Sequence, residues 1–144
     1  MNETILRFGY PNTLVAEYEH WLVLLRPEQP TLGSLVLAHS GEAKRFSDLP
    51  APAFAELGRA VADIERTLLA AIRYEKINYL MLMMVDPHVH WHVIPRYEGE
   101  RGAFGITVTD AGWPKVPQLG EALSLDAGQK AALAEWLGAQ WPGG

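Results

Sequence analysis

The apolar residues in the first part of the chain fall into short runs that predict strands. Residues 21–25, WLVLL, are continuously apolar and are closed by Pro27, a pattern typical of a buried strand. These residues belong to a segment, 13–27, that contains two extended runs, and polar and apolar side chains alternate around Tyr18 to His20. Residues 33–40, GSLVLAHS, form a third short run that opens with a glycine. Because connections of about eight residues or fewer join these runs, we expect antiparallel neighbours.

Between residues 47 and 73 the spacing of the apolar residues changes, and they recur at intervals of three and four. This spacing places them on one face of a long helix. Pro50 and Pro52 suit the helix start, because the first turn has no intrahelical partner for an N–H group. The predicted apolar face consists of Phe54, Leu57, Val61, Ile64, Leu68 and Ile72.

Strand patterns return in residues 76–85 and 89–96, and Asp86-Pro87 between them is a turn signal. We expect these two runs to form an antiparallel hairpin. Residues 99–108 indicate a further short strand, and residues 110–121 are rich in Gly and Pro and are expected to form a loop.

A second helix is predicted for residues 124–141. Asp126 and Gln129 match a capping box, and Leu133 and Leu137 lie on its apolar face with Trp136. The order of strands, helix, hairpin and helix predicts an α+β domain with an antiparallel sheet.

Composition limits the classes of function. A length of 144 residues suits one domain spanning residues 1–144. The net charge of −5 argues against a groove for nucleic-acid polymers, although a pocket for a single nucleotide stays possible. No cysteine is present, which excludes disulfides and thiolate metal sites, and the longest apolar run, residues 79–85, is too short to span a bilayer. We therefore expect a cytoplasmic protein without a signal peptide.

Three of the five histidines occupy alternate positions in the predicted strand at residues 89–96 and just before it. Strand residues two apart point to one face, about 6.5–7 Å from each other, so the histidines are expected to form a row. The interleaved apolar residues are expected to face the core. The histidines are His88, His90 and His92, and the interleaved residues are Val89, Trp91 and Val93.

Three interpretations of this row compete. A solvent-exposed polar face would more naturally carry Lys, Glu and Thr. A metal site conflicts with distance, since three such positions span about 13 Å, and it would need His20, His39 or an acid from elsewhere. Covalent catalysis fits better, because a neutral imidazole held by a hydrogen bond at one nitrogen is a good nucleophile toward phosphorus at the other.

The stretch HVHWHVI at residues 88–94 is similar to the signature of the histidine triad (HIT) family of nucleotide hydrolases and transferases. The resemblance extends over roughly residues 13–97, from the paired first strands through the long helix to the triad. It implies a HIT-like α+β fold, with about five antiparallel strands, a long central helix and a C-terminal helix. It also implies a homodimer.

The resemblance assigns a role to each histidine. His90 would attack the α-phosphate of a purine nucleotide conjugate and form a nucleotidyl-histidine intermediate. His92 would contact the phosphate or assist proton transfer, and His88 would support the arrangement by hydrogen bonding. Typical substrates are phosphoramidates, acyl-adenylates and dinucleoside polyphosphates, and the covalent step needs neither metal nor cofactor. The substrate-binding residues suggested by position are Asn78, Arg26 and Arg96.

The chain departs from the family pattern just before the triad. Many members carry Gly with Gln or Ser there to help the leaving group depart, whereas this chain has Met84 and Val85, with Asp86 as the only polar residue. Arg26 also stands where Asp or Asn is usual near the ribose. These departures keep open a second hypothesis, a nucleotide-binding or regulatory protein with weak catalysis.

Overall fold

A computed structural model describes residues 1–143 and shows the predicted α+β architecture. Nine strands, three α-helices and one short 3-10 helix (Phe46–Asp48) are assigned within these residues. The strands are β1 (Leu14–Glu17), β2 (Trp21–Leu25), β3 (Glu28–Gln29), β4 (Leu35–His39), β5 (Lys76–Leu80), β6 (His90–Arg96), β7 (Glu100–Ala103), β8 (Ile106–Thr109) and β9 (Leu123–Ser124). The helices are α1 (Glu3–Arg7), α2 (Ala51–Ile72) and α3 (Ala127–Ala139).

The main sheet has five strands in the order β1-β2-β4-β6-β5, and each neighbouring pair is antiparallel. The predicted antiparallel pairing of the histidine-bearing strand with the strand before it is confirmed, since every residue of β5 pairs with a residue of β6. Two smaller sheets, β3-β9 and β7-β8, lie outside the main one. The triad strand β6 is thereby held between β4 and β5.

The two faces of the main sheet are covered differently. On one face, α2 and α3 cover the larger core, which includes Trp21 and Val93. On the other face, a small cluster built around Ile5 of α1 packs against Leu22, Leu24 and Val36. Because strand residues alternate between faces, the even-numbered residues of β6 point toward the α1 side.

The long helix is confirmed, but its predicted inward face is partly wrong. Phe54 is 43% exposed and packs against Phe46, with ring centroids 5.7 Å apart. Small residues take the inward positions near the helix start, and the indole Nε1 of Trp21 donates to the carbonyl of Ala53 at 2.8 Å. The buried residues of the helix are Ala53, Ala60, Ile64, Thr67, Leu68 and Ile72. The small alanine side chains allow the helix to approach the sheet closely.

The first strand of the predicted hairpin is shorter than expected. It ends at Leu80 rather than continuing to Val85. Met83 has a φ of 46°, in the left-handed region that breaks an extended strand, and Met84 and Val85 are exposed. Residues 81–89 therefore form a loop that leads into the triad.

Side-chain caps define the N-termini of two helices. Asp126 and Gln129 form the predicted capping box of α3. The short helix α1 was not predicted, and Asn2 caps it by accepting a hydrogen bond from the N–H of Ile5 at 2.9 Å. None of the helices within residues 1–143 combines the length and apolar character needed to cross a bilayer.

Candidate active site

The second and third histidines of the triad lie side by side on the face of the sheet toward α1. His90 pairs with Ala38 of β4, and His92 pairs with Val36 of the same strand. The two imidazole rings are 5.0 Å apart between centroids and are almost perpendicular. Both residues are buried, at 1% and 7% exposure, so a rigid central strand fixes their positions.

The ring of His90 is oriented by the main chain. Its Nδ1 lies 2.6 Å from the carbonyl oxygen of His88. Since a carbonyl can only accept, Nδ1 carries the proton and Nε2 carries the lone pair. Within residues 1–143, Nε2 has no hydrogen-bond partner. It is not among the fully buried polar atoms that lack a partner, since the only such side-chain atom in these residues is Thr67 Oγ1. Nε2 of His90 is therefore not sealed from solvent, and it has the character of a nucleophile.

The ring of His92 has the opposite tautomer. Arg26 lies just after β2 and donates from Nε to Nδ1 of His92 at 3.3 Å. A guanidinium can only donate, so Nδ1 of His92 carries the lone pair and Nε2 carries the proton. Burial, with the nearby Arg26 cation and His90, lowers the pKa of His92 to about 4. His92 is therefore a neutral hydrogen-bond donor at physiological pH.

Burial also lowers the pKa of His90, although the hydrogen bond to the carbonyl of His88 partly opposes this. The site therefore holds two neutral imidazoles, one presenting a lone pair and the other an N–H. Arg26 adds a positive charge beside them, and it makes a further hydrogen bond from Nη1 to the carbonyl of Glu28 at 2.9 Å. This combination suits attack on an anionic phosphorus centre.

His88 lies just before β6 and has a different environment. Its ring contacts Thr4 Oγ1 through Nδ1 at 3.0 Å and Glu42 Oε2 through Nε2 at 3.1 Å. The main-chain carbonyl of His88 accepts the hydrogen bond from His90 Nδ1. The three histidines are thus brought together as predicted, but only His90 and His92 have neighbouring rings.

Arg96 and Asn78 lie at the far end of β6 from His90 and contact each other. Arg96 donates from Nη1 to Asn78 Oδ1 at 2.8 Å, and it pairs with Asp110 at 2.7 and 3.1 Å. Asn78 is opposite Ile94, one same-face position beyond the Leu80–His92 pair. A phosphate would therefore have to compete with Asp110 for Arg96, whereas Asn78 faces the same side of the sheet as the triad.

Two other polar residues singled out by the sequence have partners or positions away from the histidines. The carboxylate of Asp86 binds Arg7 at 2.8 Å. His39 pairs with Trp21 and lies on the face opposite His90, where its ring packs on the Trp21 indole at 5.4 Å between centroids. Neither observation favours a direct role at the triad.

Three residues from the N-terminal half of the chain contact the triad and were not predicted from the sequence. Thr4 and Glu42 bind the ring of His88, and the ring of Phe8 lies 5.5 Å from that of His90 and 5.7 Å from that of His92. All three are remote in sequence from the triad. Within residues 1–143, no group of three or more His, Asp or Glu side chains is placed so that it could hold one metal ion.

Comparisons with known proteins show the family and the fold of the chain. The HIT domain matches residues 9–99, well over half of the chain. The chain belongs to the HIT family. The matched segment contains β1 to β6 and all three triad histidines.

Solved structures show the same fold over almost the whole chain. A histidine triad protein from Bradyrhizobium japonicum has 19% identity and a TM-score of 0.72, over 98% of this chain and 96% of that one. One from Sinorhizobium meliloti has 23% identity and a TM-score of 0.70, over 93% and 90%. A hypothetical histidine triad nucleotide-binding protein from Sulfolobus tokodaii has 17% identity and a TM-score of 0.68, over 95% and 88%. No curated protein sequence matches the chain.

Proposed function

We propose that this HIT protein is a nucleotide hydrolase or nucleotidyl transferase that cleaves purine nucleotide conjugates at the α-phosphate through a covalent intermediate on His90. The observation that carries the proposal is the 2.6 Å contact from His90 Nδ1 to the carbonyl of His88, which leaves the lone pair on Nε2. Imidazole in this tautomer is prepared for nucleophilic attack without a separate base.

The reaction has two displacements. The lone pair on His90 Nε2 forms a bond to the α-phosphorus, and the bond from phosphorus to the leaving group breaks. Water then attacks the same phosphorus, the bond to Nε2 breaks, and the nucleoside monophosphate leaves. For a transferase, a second nucleophile replaces water. The carbonyl of His88 stabilises the positive charge that develops on the ring during attack.

Arg26 and the N–H of His92 supply the electrostatic stabilisation. Arg26 holds Nδ1 of His92, so the proton on His92 Nε2 is available to a phosphate oxygen. Arg26 also places a fixed positive charge beside the ring of His92, which lies 5.0 Å from the ring of His90. Such preorganised donors stabilise the transition state more than the ground state because negative charge shifts onto the phosphate oxygens and the leaving group.

The loop before the triad bears on the leaving group. Met84 and Val85 are exposed and carry no proton donor, and the carboxylate of Asp86 is bound to Arg7. A carboxylate or a phosphate departs without a proton, whereas an amine needs one. We therefore favour acyl-adenylates and dinucleoside polyphosphates over amine phosphoramidates as substrates.

The same observation supports a second candidate, a nucleotide-binding or regulatory protein with weak catalysis. One of the similar structures is described as nucleotide-binding. Of the residues predicted to bind substrate, Arg26 and Asn78 face the triad side, and Arg96 is engaged by Asp110. The homodimer and the cytoplasmic location stay predictions, and β5, which pairs only with β6 in the described chain, is the edge we expect a second copy to use.

The test is release of AMP from three adenylated compounds: an acyl-adenylate, a dinucleoside polyphosphate and adenosine phosphoramidate. We expect the first two to be cleaved faster, with activity that survives a chelator and is abolished in His90→Ala. If all three bind but none is cleaved, the second candidate is favoured. If a chelator removes the activity, a metal site replaces the covalent histidine as the explanation.

A further inference from the structure

One buried residue of α1 holds His88 from two directions. Thr4 Oγ1 accepts a hydrogen bond from the main-chain N–H of His88 at 3.2 Å and contacts its ring Nδ1 at 3.0 Å. The carbonyl of the same residue, His88, accepts the proton of His90 Nδ1. Thr4 therefore fixes the main chain directly beside the group that orients the proposed nucleophile.

The proton arrangement around the His88 ring is self-consistent. The carboxylate of Glu42 can only accept, so Nε2 of His88 carries the ring proton and donates it to Glu42 at 3.1 Å. Nδ1 of His88 then has a lone pair and accepts the hydroxyl proton of Thr4, whose oxygen accepts from the main-chain N–H of His88. Every hydrogen-bonding group of the His88 ring and amide is used.

The two partners of His88 are themselves tied together. The side-chain amide of Asn2 donates to the carbonyls of His39 and Gly41 at 3.0 and 2.8 Å, immediately before Glu42. The side-chain oxygen of Asn2 caps α1, which carries Thr4. Thr4 is only 1% exposed, so its hydroxyl has no competing solvent.

We propose that Thr4 and Glu42 are positioning residues that clamp His88 from opposite sides of its ring, and that through the His88 carbonyl they keep the proton of His90 on Nδ1. Neither residue touches the reacting phosphate. Their catalytic consequence rests on the function proposed above, but the tautomer of His90 is a property of the free protein. The two can be measured separately.

The experiment compares Thr4→Val with Thr4→Ser. Valine keeps the shape and removes the hydroxyl, whereas serine restores it. Thr67→Val is the matched control, because Thr67 is a buried threonine whose hydroxyl has no partner within the described residues. Nitrogen-15 NMR of the imidazole rings reports the tautomer of His90, and steady-state kinetics on the best substrate separates kcat from KM.

We expect wild type, Thr4→Ser and Thr67→Val to show a single His90 tautomer with the proton on Nδ1. In Thr4→Val a second tautomer becomes visible, and kcat falls about tenfold with KM nearly unchanged, as expected when a positioning hydrogen bond to the nucleophile's support is lost. Glu42→Ala is expected to lower kcat by about threefold, because Glu42 is largely exposed, and Glu42→Gln to restore most of it.

A single His90 tautomer and unchanged kcat in Thr4→Val and Glu42→Ala would overturn the proposal. If Thr4→Val does not fold, Glu42→Ala, changed at an exposed side chain, decides by the same two measurements. If the wild type has no activity on any substrate, the proposed function fails, whereas the tautomers in the variants still decide the clamp.

Discussion

Two largely buried polar clusters lie along β6, and they use their hydrogen-bonding groups differently. The histidine cluster comprises His90, His92 and Arg26, and the arginine cluster comprises Arg96, Asp110 and Asn78. In the arginine cluster the guanidinium is neutralised by a carboxylate that is 1% exposed at its side chain, and three hydrogen bonds to Arg96 are formed. In the histidine cluster no carboxylate lies within ion-pair distance of Arg26 in the described residues.

This difference in pairing indicates a structural role for the arginine cluster and supports the chemical role proposed for the histidine cluster. Burial of polar groups costs free energy unless they are paired, and Arg96 is paired as a structural residue would be. The histidine cluster retains a lone pair on His90 and a positive charge on Arg26 that is in no ion pair with a described residue. Unused hydrogen-bonding capacity and unpaired positive charge in a largely buried site are what the proposed anionic substrate would need.

The largest predicted effect breaks the arginine cluster. Asp110→Asn leaves the Arg96 charge buried without its partner, which is expected to lower the free energy of unfolding by about 3 kcal/mol. Chemical denaturation measures this change. The double variant Arg96→Met/Asp110→Asn should recover part of the loss, and equal stability of single and double variants would show that the ion pair is not what Asp110 supplies.

The next effect concerns the histidine cluster. Arg26→Met removes the positive charge and the donor to His92, and we expect kcat/KM to fall about 100-fold, or about 2.7 kcal/mol, because transition-state charge loses its partner. The pKa of His92 should rise at the same time, since Arg26 helps to lower it. Unchanged activity with a raised pKa would remove Arg26 from the proposed phosphate site.

A smaller effect is the dependence of stability on pH. The ordinary pKa of histidine is 6.5 and that of folded His92 is about 4. Between these values the unfolded chain binds a proton that the folded chain does not, so stability falls as the pH is lowered through this window. His92→Asn removes this contribution, and the loss of stability from pH 7 to pH 5 should shrink by about 2 kcal/mol.

Denaturation curves of wild type and His92→Asn at the two pH values measure the difference. Burial lowers the pKa of His90 and of His39 as well, so the variant should keep part of the acid sensitivity. An equal loss in the two proteins would mean that His92 is not held neutral by the fold.

The smallest effect lies outside both clusters. Thr67 has a buried hydroxyl without a partner in the described residues, so Thr67→Val should raise the free energy of unfolding by about 1 kcal/mol. Activity should not change. A destabilised variant would show that the hydroxyl has a partner, for example a buried water.

The histidine row and the long helix could be predicted because both depend on local periodicity. The alternation around His90 fixes which face each side chain takes, and the interval of three and four residues defines α2. Phe54 was placed on the wrong face because the helical period defines the direction of the apolar face only to within about one residue. The neighbouring Ala53, which is buried, was not recognised as part of that face because alanine is small and only weakly apolar.

The contacts that give the triad its chemistry join distant parts of the chain. Arg26 and His92 are 66 positions apart, and Thr4 and His88 are 84 apart. No local pattern encodes such pairs. Helix α1 has five residues, too few to show a period, and Asp110 resembles an ordinary loop residue until its pairing with Arg96 is seen.

The proposal that His90 is the nucleophile is tested most simply by measuring the intact mass of the protein after brief mixing with the p-nitrophenyl ester of AMP, whose leaving group needs no proton. We expect wild type to gain the mass of one AMP, the adduct to disappear as free AMP accumulates, and His90→Ala to gain none. AMP released by wild type without any adduct, or an adduct of equal amount in His90→Ala, would contradict His90 as the nucleophile.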